Sequence, residues 1–139
     1  RTLGLLVTLD SNNHNVTSPG GMQFPDDVFS FIGDNAAKGI SATPALTFHT
    51  NPEWSLAHFD MTNREIHDEL LEAATPWFGT AVVTSSEMKK WRFAIPKKIW
   101  PDACWVDDSG TLAIAGDAFA GPRVEGAALS GLAAARALS

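Results

Sequence analysis

The stretch Asn51-Pro52-Glu53-Trp54-Ser55-Leu56-Ala57-His58-Phe59-Asp60-Met61-Thr62-Asn63-Arg64-Glu65-Ile66-His67-Asp68-Glu69-Leu70-Leu71-Glu72-Ala73-Ala74 separates two groups of strand-like segments and decides the fold class. Asn51 is a good N-cap and Pro52 suits a first helical position, so a helix is expected from there. Trp54, Leu56, Ala57 and Phe59 are its expected apolar side. Thr62-Asn63-Arg64-Glu65 fits the capping box, a hydroxyl followed three residues later by Glu, and predicts a second helix. Ile66, Leu70, Leu71 and Ala74 form its apolar stripe, with Glu65, Asp68, Glu69 and Glu72 toward solvent. Pro76 ends it.

Upstream, Arg1 to Leu9 is an apolar run with Val and Thr and reads as a strand buried on most sides. Ser11 to Gly21 is a polar loop. Asn15-Val16-Thr17 within it is a formal glycosylation sequon, taken as chance. Met22 to Phe24, Val28 to Ile32 and Pro44 to Thr50 are further strand candidates, with Asp34 to Ser41 as a loop or short turn. Downstream, Thr80 to Thr84 and Glu87 to Ile95 read as two strands. In the second, Lys89, Trp91, Phe93 and Ile95 share one side. Trp105 to Asp107 and Leu112 to Ala115 are short strands around Asp108-Ser109-Gly110. Val124 to Leu138 reads as a helix. The resulting order predicts an α+β fold with a mixed, largely antiparallel sheet, two packed helices and a C-terminal strand-turn-helix.

The chain has 139 residues, 10 Lys+Arg against 16 Asp+Glu, and a net charge of −6. An acidic chain without a long basic run does not suit a phosphate backbone, so nucleic acid is excluded as a partner. No stretch of 18 apolar residues exists, which excludes a membrane-spanning helix. The opening run is too short for a signal peptide and lacks a cleavage pattern, and the expected compartment is the cytoplasm. Cys104 is the single cysteine and reads as a buried thiol. His14, His49, His58 and His67 show no metal-ligand spacing, and no metal is expected. The start at Arg1, inside a strand, suggests a processed or expressed fragment; a small protein trimmed of a few residues is the alternative.

Leu112 to Leu138 carries the chemistry. A strand leads to Gly116-Asp117, then to Gly121-Pro122 and a helix N-terminus. Free N–H groups of a first helical turn favour partial negative charge. Asp117 can accept hydrogen bonds from hydroxyls of a ribose or ribityl chain. Small residues at Gly126, Ser130, Ala133 or Ala134, and Ala137 share one face of the helix, which lets another backbone approach.

The segment Leu112 to Ala135 resembles the C-terminal FAD-binding segment of flavin amine-oxidase-like proteins, most closely the renalase branch. Asn51 to Ser55 and Lys90 to Ala94 are similar to two further motifs of that branch. The resemblance implies a substrate-domain-like segment over 1–110 and a return segment of the FAD-binding domain over 111–139. The G-x-G-x-x-G of the family's N-terminal FAD-binding unit is absent, so that portion is implied as a missing partner. Asp117 would hydrogen-bond the ribityl of FAD, and backbone groups at Arg123, Val124 and Glu125 would meet the flavin. Trp91 and Phe93 would lie on the sheet near the flavin face, with Asn35 and Lys89 at the pocket for a small-molecule substrate. Lys89 stands where relatives often carry His.

The resemblance implies an FAD-dependent oxidoreductase oxidising an amine or dihydronicotinamide-like donor. The 139 residues alone would be inactive and bind FAD weakly or not at all. A homo-oligomer formed through the C-terminal helix is the remaining partner expected. The alternative is a non-catalytic α+β binding or interaction module.

Overall fold

The computed structural model describes residues 1–94, 96 and 98–139. They divide into two compact units, Arg1–Ala94 and Ile95–Ser139. The division falls ahead of the expected 110/111 boundary. The reason is local: Trp105–Val106 pairs with Ala113–Ile114 and not with the larger sheet.

The first unit contains β1 (Thr2–Leu9), β2 (Gly21–Gln23), β3 (Phe29–Asp34), β4 (Ala45–Thr50), α1 (Pro52–His58), α2 (Asn63–Ala74) and β5 (Val83–Trp91). Its sheet runs in the order β2-β3-β4-β1-β5. Every pairing is antiparallel, the limiting case of the largely antiparallel sheet expected. The fold is α+β. The two strands expected over 80–95 are one: Ser85 and Ser86 pair with Thr8 and Val7, so the ladder continues through them. Pairing stops at Thr2 opposite Trp91, and Arg92 to Ala94 form a bend. The expected strand residue Ile95 lies outside the described residues.

Period-two alternation assigns the faces. Leu3, Leu5, Val7 and Leu9 of β1 point with Leu46 and Phe48 of β4 into a core closed by Phe29, Ile32, Phe59, Ile66, Leu70, Ala74 and Phe78. Phe48 lies 5.0 Å from Phe29 and meets Phe78 edge-on at 6.1 Å between ring centroids. Each buried Leu, Ile or Phe here is worth roughly 1.5–3 kcal/mol relative to exposure.

The helix starts behave as their caps dictate. Asn51 accepts from Trp54 N–H at 2.8 Å, and Thr62 and Glu65 form the reciprocal capping box. The inner side of α1 differs from expectation. Leu56 and Ala57 are exposed, and Ser55 is the fully buried residue. A polar knot explains the exchange. Thr50 Oγ1 donates to Leu3 O (3.0 Å) and accepts from Leu3 N–H (3.2 Å). Ser55 Oγ stands 2.5 Å from Thr50 Oγ1 and donates to Asn51 O at 2.7 Å. The hydroxyls replace the ladder bonds that Leu3 would otherwise lack, and a larger apolar group at 55 would break them.

Lys90 points to the helix side of the sheet and donates to Phe59 O and Met61 O, both at 2.9 Å. A cation at the end of α1 complements the carbonyl end of the helix. The loop over 11–20 is tied down as well: Asn15 donates through its amide to Trp77 O (3.0 Å) and through Nδ2 to Pro76 O (2.8 Å). The nitrogen that glycosylation would modify is thus in use.

The second unit contains the hairpin β6 (Trp105–Val106) and β7 (Ala113–Ile114), then α3 (Arg123–Ala137). Ser130 is buried and its Oγ accepts from Gly116 N–H at 3.0 Å. A Cβ on Gly126 would collide with the carbonyl of Gly121, whereas one on Gly131 would meet nothing within 4 Å. Gly126 and Ser130, two of the small residues sharing a face, therefore already serve a close approach inside this unit. Among the described residues no helix is long and apolar enough to cross a membrane.

Thr50→Val leaves the Leu3 carbonyl without its hydroxyl donor and the Leu3 amide with only the longer bond to Ser55 Oγ (3.4 Å), and should cost about 1–3 kcal/mol in urea unfolding. Gly131→Ala should stabilise α3 by up to about 1 kcal/mol. Gly126→Ala should destabilise it, because the Gly121 carbonyl must move. Equal effects of the two alanines on helix melting would contradict this packing.

Candidate functional site

α1 and α2 pack on one face of the five-stranded sheet. The other face carries Gly4, Leu6 and Thr8 of β1, whose partners across the ladders are His49, Thr47 and Ala45 of β4 and Lys89, Glu87 and Ser85 of β5. Trp91 follows on the same face, and Phe31 stands opposite His49. Gly4 decides the relief of this surface. A Cβ there would lie 2.5 Å from Cζ3 of Trp91. The absent side chain lets the indole fold down onto β1, 38% exposed.

The Trp91 ring meets His49 edge-on at 5.3 Å, and His49 lies 5.8 Å from Phe31. These three rings make a row across the sheet. Lys38 Nζ sits 5.5 Å from the Phe31 centroid at one end, and Lys89 lies beside Trp91 at the other, in contact with Glu87. Asn35 Nδ2 donates to Thr47 Oγ1 at 2.9 Å and borders a hollow of about 520 Å³ with Leu6, Thr8, Ala45, Ser85 and Glu87. His49 is held below its ordinary pKa first by burial, which disfavours the charged ring, and then by the positive charge of Lys38. The face is thus aromatic, with an imidazole held toward its neutral form at its centre, Lys38 at one end and the Lys89–Glu87 ion pair at the other.

The second unit has its own cavity, of about 390 Å³, at the start of α3. Phe119, Gly121, Pro122, Arg123, Glu125 and Gly126 line it, with Leu129 and Ser130 deeper along the helix. No side chain caps α3, and its N-cap is Pro122. The first-turn N–H groups of this helix are therefore available to a polar ligand atom. The approach is strained: Ala120 and Arg123 take φ of 55° and 90°, where residues other than glycine are uncommon.

The eight residues singled out from sequence divide between these places. Trp91, Lys89 and Asn35 share the helix-free face of the first sheet. Phe93 does not: it lies past the end of β5 and is 95% exposed, because pairing with β1 ends at Trp91. Arg123 and Glu125 line the α3 cavity. The Val124 side chain points to solvent and leaves only its backbone to the site. Asp117 stands on the turn after β7, exposed, outside the cavity lining, and its carboxylate accepts no hydrogen bond among the described residues.

Sequence reasoning missed Gly4, Phe31, Lys38, Thr47 and His49. Two signals were present. A glycine inside an apolar strand marks a close approach, and the alternation of Ala45 to Thr50 places Thr47 and His49 opposite the core residues Leu46 and Phe48. Among the described residues no three His, Cys, Asp or Glu groups gather as a metal site. No family model matches the chain, and no curated protein matches it.

Burial of neutral His49 fixes the sign of a pH effect. The unfolded chain takes up a proton as pH falls through about 6.5, while the folded chain resists it. Stability should be full above that value and decline as pH drops below it. His49→Gln should flatten that decline when urea midpoints are compared between pH 7.5 and 5.5; an unchanged slope would remove His49 from the titration.

Proposed function

We propose that this chain supplies the substrate-binding sheet and one flavin-contacting helix of a cytoplasmic FAD-dependent oxidoreductase acting on an amine or dihydronicotinamide-like donor. The observation that carries the reading is the helix-free sheet face with its row of Phe31, His49 and Trp91. An aromatic surface with an imidazole held toward its neutral form suits a planar ring, and it keeps water from one side of the reacting atoms. Lys38 at the Phe31 end favours a donor with an anionic group, whereas Lys89 at the other end is already paired with Glu87.

Of the residues expected to meet the cofactor, Arg123 and Glu125 line the cavity at the start of α3, while Asp117 lies outside that lining. The uncapped N–H groups at the start of α3 suit the electron-rich pyrimidine edge of a reduced flavin. A cavity of about 390 Å³ falls within the range of cofactor and ligand sites. The exposed Asp117 carboxylate is free to accept from a ribityl hydroxyl. Bound FAD would supply the hydride acceptor, with the donor leaving as its oxidised cation and the electrons passing on to oxygen. The chain's own part is to orient the donor on the sheet and to hold the cofactor's polar edge. The chain contains no G-x-G-x-x-G, so the dinucleotide grip would come from another polypeptide segment.

Calorimetric titration of the 139-residue chain with FAD should give only weak binding, weakened further by Asp117→Ala, and no oxidation of dihydronicotinamide above background. Tight stoichiometric FAD binding would contradict the division of the site. Unchanged weak binding in Asp117→Ala would remove that carboxylate. A non-catalytic interaction module is the second reading, favoured by the apolar side chains that α3 leaves exposed.

A further inference from the structure

The inner face of α3, with Gly126 and Ser130, is occupied within its own unit. The outer face is not. Leu129 and Leu132 are 57% and 54% exposed; Val124, the other exposed large apolar residue of α3, lies in its first turn, about a quarter turn or more away from them around the helix. They fall in one stripe with Glu125 and Arg136, at steps of four, three and four residues, the spacing of a coiled-coil seam. Among the described residues neither Glu125 nor Arg136 takes part in an ion pair.

We infer that this stripe is a self-association surface and that its occupant is α3 of a second copy, packed antiparallel about a two-fold axis between residues 130 and 131. The argument is complementarity. In that arrangement Leu129 of each copy meets Leu132 of the other. Glu125 of each meets Arg136 of the other, so both ends of the seam close on opposite charges. Ala128 and Ala133 flank the leucines and allow close approach. The antiparallel helix dipoles are also favourably placed. A parallel arrangement would oppose Glu125 to Glu125 and Arg136 to Arg136. The seam is isologous, as a two-fold dimer requires. One 15-residue helix offers less than the roughly 1,200 Å² of a standard interface, so the dimer is a weak one.

The test is sedimentation equilibrium of the full 139-residue chain, with circular dichroism to show that each variant keeps its helix. The wild-type chain should show reversible monomer–dimer behaviour in the upper micromolar range, and Leu132→Glu should be monomeric throughout. Arg136→Glu places like charges together at both ends and should weaken the dimer about tenfold or more, since each dimer contains the pair twice. Adding Glu125→Arg to that variant should restore most of the loss. A wild-type chain that stays monomeric near millimolar concentration would overturn the proposal. So would a dimer indifferent to Leu132→Glu, or a doubly charge-exchanged variant that keeps its helix and fails to recover. Glu125 and Leu129 also line the cavity at the start of α3, so Leu132→Glu, outside that lining, is the variant whose readout is separate from flavin binding.

Discussion

One absent side chain shapes the larger unit: Gly4 in β1. Between Leu3 and Leu5, both fully buried on the helix side, it leaves a gap on the opposite side of the strand. Trp91 fills the gap from β5. The indole, lying down, meets His49, and His49 meets Phe31, so an aromatic surface spans the sheet from a single glycine. Any side chain at position 4 would lift the indole away from β1.

The other face depends on polar groups placed at the ends of elements. Thr50 and Ser55 complete the hydrogen bonds of Leu3 where the β1–β4 pairing ends, and Ser55 belongs to α1. Lys90 holds the carbonyl end of α1 from β5. The capping box starts α2 with its Ile66, Leu70 and Ala74 edge toward the sheet. Each link is worth on the order of 1 kcal/mol. Together they direct both helices to one side, and the aromatic side is left open as a consequence.

Elements with strong local chemistry were legible in the sequence: both helix starts, the capping box, β1, β4, the β6–β7 hairpin and α3. What was not legible was set by pairing. Ser85 and Ser86 look like a break, yet their backbone is held by Val7 and Thr8 and the strand continues. Phe93 looks like a strand residue, yet its partner strand has ended. Ser55 displaced Leu56 and Ala57 from the core because it answers a backbone need of Leu3 that lies 52 residues away. The grouping of residues on the open sheet face was set by pairing as well. Trp91, Lys89 and Asn35, singled out by resemblance, share one sheet face, while Phe31 and His49 join them only through the register of β3, β4 and β1.

The central claim is that the open sheet face receives a planar ring against Trp91 and His49. The most direct measurement is a titration of the chain with reduced nicotinamide mononucleotide, followed through the indole N–H of Trp91 and the amides of Gly4 and His49 by nuclear magnetic resonance. The account predicts saturable shifts confined to that face, lost in Trp91→Ala. Shifts centred elsewhere, or shifts that persist at Gly4 and His49 without the indole, would contradict it.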